Sequence, residues 1–296
     1  MSINLLNISH KNLSLGASLE LFPDIAKYLD GASFEAFMRT QKGVKRVAAQ
    51  ALQARLCNCE KIVTDHDLRR YKKISGKDLV GEVYSLRIAN TYKEEMQKLL
   101  KNLSKIRTLE FAGFLSEEAF SAPSDLEGLV LDIVPDFDSK WATLVKEKCP
   151  KLQSFVLKGA FTSDEHLFAH LPSSLKRLVL EYQSDITAQM VSHMPEHLTA
   201  LTFEADQENL AELMGAIRDR LLQLKELVMP NYLDVKDGWL HNLPVTLQTL
   251  SIGNFFKLTA ERIQLIRQQC PSIQYLYSVE DGMRLPKKLK YSENLI

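Results

Sequence analysis

Between Val83 and Ser278 the chain repeats one short phrase: an aliphatic residue, two variable ones, a second aliphatic, one variable, and a final apolar. It reads Val83-Leu86-Ile88, Ile106-Leu109-Phe111, Leu126-Leu129-Leu131, Leu152-Phe155-Leu157, Leu175-Leu178-Leu180, Leu198-Leu201-Phe203, Leu224-Leu227-Met229, Leu247-Leu250-Ile252 and, with a polar last place, Ile273-Leu276-Ser278. Successive phrases begin 23, 20, 26, 23, 23, 26, 23 and 26 residues apart. Steps of three are close to one helical turn of about 3.6 residues. The spacing therefore predicts a strand of fixed length in each unit, with an outer helical segment that grows or shrinks by about a turn. A period in this range means stacked units, each burying one face against the next.

Two further signals keep the same register. A proline stands two or three places before the next strand in Cys149-Pro150, Leu171-Pro172, Met194-Pro195, Leu243-Pro244 and Cys270-Pro271, where it stops a helix and favours an extended approach. Thr187, Thr259 and Ser163 precede helical patterns and are expected as N-caps, as is Asp138 or Ser139. Phrase, period and prolines together resemble a leucine-rich repeat. That resemblance implies an α/β, right-handed solenoid with a parallel sheet on the concave face, helices on the convex face and an α-helical N-terminal cap. The expected divisions are a helical cap over 1–80, the solenoid over 81–281 and a capping tail over 282–296. Many repeats of this family carry Asn or Cys three residues beyond the last strand aliphatic. Here those places hold Phe114, Val134, Ala160, Gln183, Asp206, Tyr232, Phe255 and Asp281, so irregular loops are expected.

Ahead of the repeats, from about Leu19 to Tyr71, apolar residues fall at helical spacing (Ile25, Leu29, Phe34, Phe37, Val44, Val47, Leu52) and no strand phrase occurs. A cap of this kind would cover the open end of a solenoid. The run Leu21-Phe22-Pro23-Asp24-Ile25, then Tyr28-Leu29-Asp30, Ser33-Phe34 and Lys42-Gly43-Val44, resembles an abbreviated F-box. About one helical turn is missing between Ile25 and Leu29, and no tryptophan stands near Lys45 or Arg46. An F-box implies recruitment of substrates to a ubiquitin ligase through a Skp1-like adaptor. The whole arrangement also resembles the leucine-rich-repeat effector proteins that intracellular bacteria inject into host cells, which implies a host protein or another effector as partner.

Composition narrows the function classes. Lys plus Arg equals Asp plus Glu at 37 each, so net charge gives no footprint for nucleic acid. The basic residues of the first eighty positions are not interleaved with stacking aromatics. No stretch approaches the roughly 20 apolar residues of a membrane span, and the first residues lack an uninterrupted apolar core of signal-peptide length. A cytoplasmic protein is expected, or one translocated into the host cytosol under the effector resemblance. Cys149 and Cys270 share a repeat position and are expected as buried thiols, while Cys57 and Cys59 lack a second pair at zinc-site spacing.

The residues between the strand aliphatics should face the open side of the sheet. The centre column reads Arg87, Glu110, Val130, Val156, Val179, Thr202, Val228, Ser251 and Tyr277. Its neighbour reads Thr108, Gly128, Ser154, Arg177, Ala200, Glu226, Thr249 and Tyr275. An apolar strip with a polar rim is the anatomy of a protein interface, and Tyr and Arg are the commonest hot spots. The expected contact residues are Arg177, Val179, Tyr182, Glu226, Val228, Tyr275 and Tyr277. The expected partner is a folded protein, bound by a monomer without enzymatic activity or cofactor. His166 with His170, and His193 with His197, stand four apart as if to share a metal on one helix face. His170 and His193 instead occupy equivalent places two residues before a proline, near helix C-termini, so no metal is expected.

Overall fold

The structure, a computed structural model, describes residue 53 and residues 63–75, 81–89, 99–100, 102–113, 115–132, 137–159, 164–181, 186–204, 209–230, 237–253 and 258–279. The F-box-like segment, Ser163, Tyr182, Cys57 and Cys59, the tail over 282–296 and the eight loop positions that depart from the repeat consensus lie outside these residues. The chain divides into two compact units, Met1–Arg87 with Lys98–Ile106, and Ile88–Gln97 with Arg107–Ile296. Among the described residues no helix is long and apolar enough to cross a membrane.

In the first unit, β1 (Val63–Thr64) leads directly into α1 (Asp65–Ser75). Thr64 and Asp67 cap that helix reciprocally. The Asp67 amide donates to Thr64 Oγ1 at 3.2 Å, and the Thr64 amide donates to Asp67 Oδ2 at 3.0 Å. β1 pairs in parallel with β3 (Ser85–Ala89), Val63 opposite Leu86, and β2 (Gly81–Glu82) pairs with β4 (Leu103–Ser104). The head is therefore not purely helical, as its sequence pattern suggests. Two consecutive β-branched residues are enough to place one short strand there.

The second unit is built on a parallel ladder. It runs through β5 (Thr108–Ala112), β6 (Gly128–Asp132), β7 (Ser154–Lys158), β8 (Arg177–Glu181), β9 (Ala200–Thr202), β10 (Glu226–Met229), β11 (Thr249–Gly253) and β12 (Tyr275–Val279). The register aligns the middle aliphatics of the phrases: Leu109, Leu129, Phe155, Leu178, Leu201, Leu227, Leu250 and Leu276 are successive partners. All eight are buried. Each approach to a strand repeats one bonding device. The amides of Lys176 and Arg177 both donate to Gln153 O, those of Thr199 and Ala200 to Lys176 O, and those of Lys225 and Glu226 to Thr199 O.

Interval length and proline placement turn out to be coupled. The intervals of 26 residues hold full α-helices: α2 (Ser139–Lys148), α4 (Leu210–Arg220) and α5 (Ala260–Gln269). The three later intervals of 23 hold the 3-10 segments Leu167–His170 and Asp237–Asn242 and the five-residue α3 (Ala188–Ser192). The interval of 20 holds the 3-10 turn Glu117–Ala119. Three places before each of the last seven phrases stands a residue whose carbonyl accepts the phrase's first amide: Pro123, Cys149, Pro172, Pro195, Leu221, Pro244 and Cys270. After a full helix this residue must also donate, and the amides of Cys149, Leu221 and Cys270 close their helices onto Val145, Ile217 and Ile266. Proline has no N–H, so it occupies the place where no full helix needs closing.

The expected caps that fall among the described residues are present, with Asp138 rather than Ser139 in the third. Thr187 Oγ1 accepts from the Met190 amide at 3.2 Å, Thr259 Oγ1 from Arg262 at 3.3 Å, and Asp138 Oδ1 from Trp141 at 3.0 Å. Where the shortest interval provides little helix, aromatic rings fill the space. Phe120 meets Phe111 and Trp141, each at 5.8 Å between ring centres, and Phe137 continues to Phe155 at 5.5 Å.

Candidate functional site

Alternation along the strands settles which side chains enter the core. Leu178 and Leu180 are buried while Arg177 between the phrase aliphatics is exposed, and Leu227 and Met229 are buried while Glu226 and Val228 are not. The residues between the aliphatics thus form an open sheet face opposite the helical layer. On it, Val130, Val156 and Val228 are partly exposed. Val179, expected in the same strip, is only 7% exposed, and Ala200 on the next strand 9%.

The charged residues of this face are organised across strands. Register places Ala200 between Arg177 and Glu226, and Arg177 Nη1 approaches Glu226 Oε1 at 3.6 Å, so the two long side chains meet across the strand with the small residue. One column further, Lys158 Nζ lies 3.8 Å from Glu181 Oε2, its register partner on the next strand. The sequence column holds Arg177 and Glu226 but not their pairing, because they are two strands apart and meet only if the residue between them is small. Gly128 adds a second tight spot: a Cβ there would stand 3.1 Å from Thr108 Oγ1, already close.

At the last described strand the face turns aromatic. Tyr275 and Tyr277 stack with ring centres 6.0 Å apart and planes within 3°, and Tyr275 is 37% exposed. Residues two apart on one strand share a side, so the pair presents one continuous amphipathic surface. Of the expected contact residues, the described ones all lie on this face, Val179 nearly covered; Tyr182 lies outside the described residues.

Among the described residues no group of three or more His, Cys, Asp or Glu side chains converges. The four histidines make contacts with neighbouring repeats. His170 Nδ1 lies 3.2 Å from Thr143 Oγ1 on the preceding repeat, and His197 Nδ1 lies 3.3 Å from Gln223 Nε2 on the following one. The structure instead joins His166 to His193 across neighbouring repeats, with ring centres 4.6 Å apart. Cys149 and Cys270 are buried, and burial pushes both thiols up to about 12, which leaves them protonated and unreactive. Cys270 donates to Pro244 O of the preceding repeat at 3.3 Å.

No family model matches the chain, and no curated protein matches it. Among solved structures it is similar to the leucine-rich-repeat-containing protein LegL7 from Legionella pneumophila, with a TM-score of 0.50 and 17% identity over 66% of this chain and 74% of that one. The fold is a leucine-rich-repeat solenoid. A yeast complex of Rad7 and Elc1 aligns over 91% of this chain and 90% of that one at a TM-score of 0.49 and 16% identity. The Toll–Spatzle complex of Drosophila aligns over 66% and 27% at a TM-score of 0.38 and 8% identity. Within the solenoid, the stacked aliphatics make the core, and the columns between them form the sheet's free face.

Proposed function

We propose that this chain is a non-enzymatic binding module that grips a folded protein across the open sheet face and thereby blocks or redirects it. The observation that carries this reading is the layout of that face. Partly exposed valines are flanked by the Arg177–Glu226 pair on one side and end at the stacked Tyr275 and Tyr277 on the other. Apolar centre, charged rim and aromatic anchors are the chemistry of a specific protein interface, and about 800 Å² of such a face suffices for a standard one. The contact residues are Arg177, Glu226, Val228, Tyr275 and Tyr277, with Val179 a minor contributor and Tyr182 beside them in sequence.

The biological setting follows from the sequence resemblance to injected bacterial effectors: the partner is a host protein or another effector, met in the host cytosol. Affinity purification with the full chain, followed by reconstitution of the recovered complex, tests the reading. A stoichiometric complex weakened by Tyr275→Ala with Tyr277→Ala, and unaffected by Leu21→Ala with Pro23→Ala, supports it. Recovery of a Skp1-like adaptor, lost on the Leu21 and Pro23 substitutions and indifferent to the tyrosines, favours a ligase adaptor instead.

A further inference from the structure

We propose that His166 and His193 form a two-imidazole clamp for a first-row divalent ion of the Cu²⁺ or Ni²⁺ class, on the helical side of the solenoid. His166 leads into the 3-10 segment Leu167–His170, and His193 follows the last turn of α3 in the next repeat. Their rings lie 4.6 Å apart, centre to centre, at 56° to each other. His166 is exposed and His193 half-buried, so water reaches the site. Among the described residues neither imidazole has a hydrogen-bond partner, whereas His170 bonds to Thr143 and His197 faces Gln223 and Glu196.

Two imidazoles on one ion, each nitrogen about 2.1 Å from the metal, hold their ring centres roughly 4.6 Å apart when the angle at the ion is about 90°, and roughly 5.3 Å apart at a tetrahedral angle. The observed separation is one at which two imidazoles turned toward a common point can serve as adjacent ligands of a tetragonal ion such as Cu²⁺ or Ni²⁺. Among the described residues no group of three or more His, Cys, Asp or Glu converges here. Such an ion would bridge two repeats, and would stabilise their stacking because it binds the folded arrangement alone. Only a solenoid makes this site: the two histidines are 27 residues apart in sequence, and the repeat stacks one beside the other. The proposal is independent of the binding role of the sheet face.

Isothermal calorimetry of the full chain with Ni²⁺ alone tests it. One equivalent should bind saturably. Losing a group that merely orients a ligand costs about 10- to 100-fold in metal affinity, so His166→Ala and His193→Ala should each weaken binding by at least about tenfold. The double variant should bind at least as weakly as either single, His170→Ala should bind as the unaltered chain does, and Cu²⁺ should show hyperfine coupling to two nitrogens. His193→Gln replaces His193→Ala if the latter's metal-free unfolding midpoint falls. No saturable binding, an affinity unchanged by either substitution, or dependence on one histidine alone would each overturn the clamp.

Discussion

Arg177 Nη1 lies 3.6 Å from Glu226 Oε1, reaching over the strand that carries Ala200. Both side chains are substantially solvated, so the pair orders the surface more than it stabilises the fold. Charge reversal by Arg177→Glu should change the unfolding free energy by under about 1 kcal/mol, while lowering affinity for a partner that uses this face by tenfold or more. Urea unfolding and a binding titration on the same variant separate the two effects. A larger loss of stability than of affinity would make the pair structural.

Ala200 is the other half of that relationship. Ala200→Leu should obstruct the passage of the two arms and break the ion pair without touching the core, because this position faces away from the helices. The expected result is a variant whose unfolding midpoint is little changed and whose partner affinity falls as far as that of Arg177→Glu. Equal affinity to the unaltered chain would show that the pair does not shape the contact surface.

Proline placement gives a test of the repeat's own logic. Cys149 donates its amide to Val145 O to close α2, whereas Pro195 stands at the equivalent place behind the shorter α3. Cys149→Pro should cost about 3 kcal/mol or more, and Cys149→Ala, which keeps the amide, clearly less. Pro195→Ala should cost less than about 1 kcal/mol. Denaturant unfolding of the three variants measures the ordering.

Burial raises the Cys149 and Cys270 thiols from 9.0 to about 12. A folded-state value above the unfolded one contributes stability that is fully present below about pH 9 and lost as pH rises toward about 12. Unfolding free energy should therefore fall across that window, and less steeply in Cys149→Ala. Alkylation at neutral pH, mapped by mass spectrometry, should spare both cysteines until the protein unfolds.

The core was legible because each phrase repeats one demand, an aliphatic at a fixed place facing the helices, and local pattern alone decides it. Leu224 and Leu222 show how sharp that is: Leu224 is fully buried, whereas Leu222, two residues earlier, is 68% exposed, as is Val245 at 59% in the equivalent place of the next repeat. Leu224→Ala should cost about 2–5 kcal/mol and Leu222→Ser under about 0.5 kcal/mol. The open-face columns were legible too, since register follows from the phrase. Contacts between columns were not. The burial of Val179, the reach of Arg177 past Ala200, and the His166–His193 pair all depend on what a neighbouring repeat places alongside. The short strand Val63–Thr64 escaped because two residues carry no periodicity.

Hydroxyl-radical footprinting of the full chain, free and in complex with its purified partner, reads the sheet face directly. Tyr275 and Tyr277 should be oxidised readily in the free protein and protected in the complex, together with Val228, while Leu222 and Trp141 keep their free-state rates. Protection confined to residues of the helical side, with both tyrosines reacting as fast as before, would contradict the assignment of the open sheet as the binding surface.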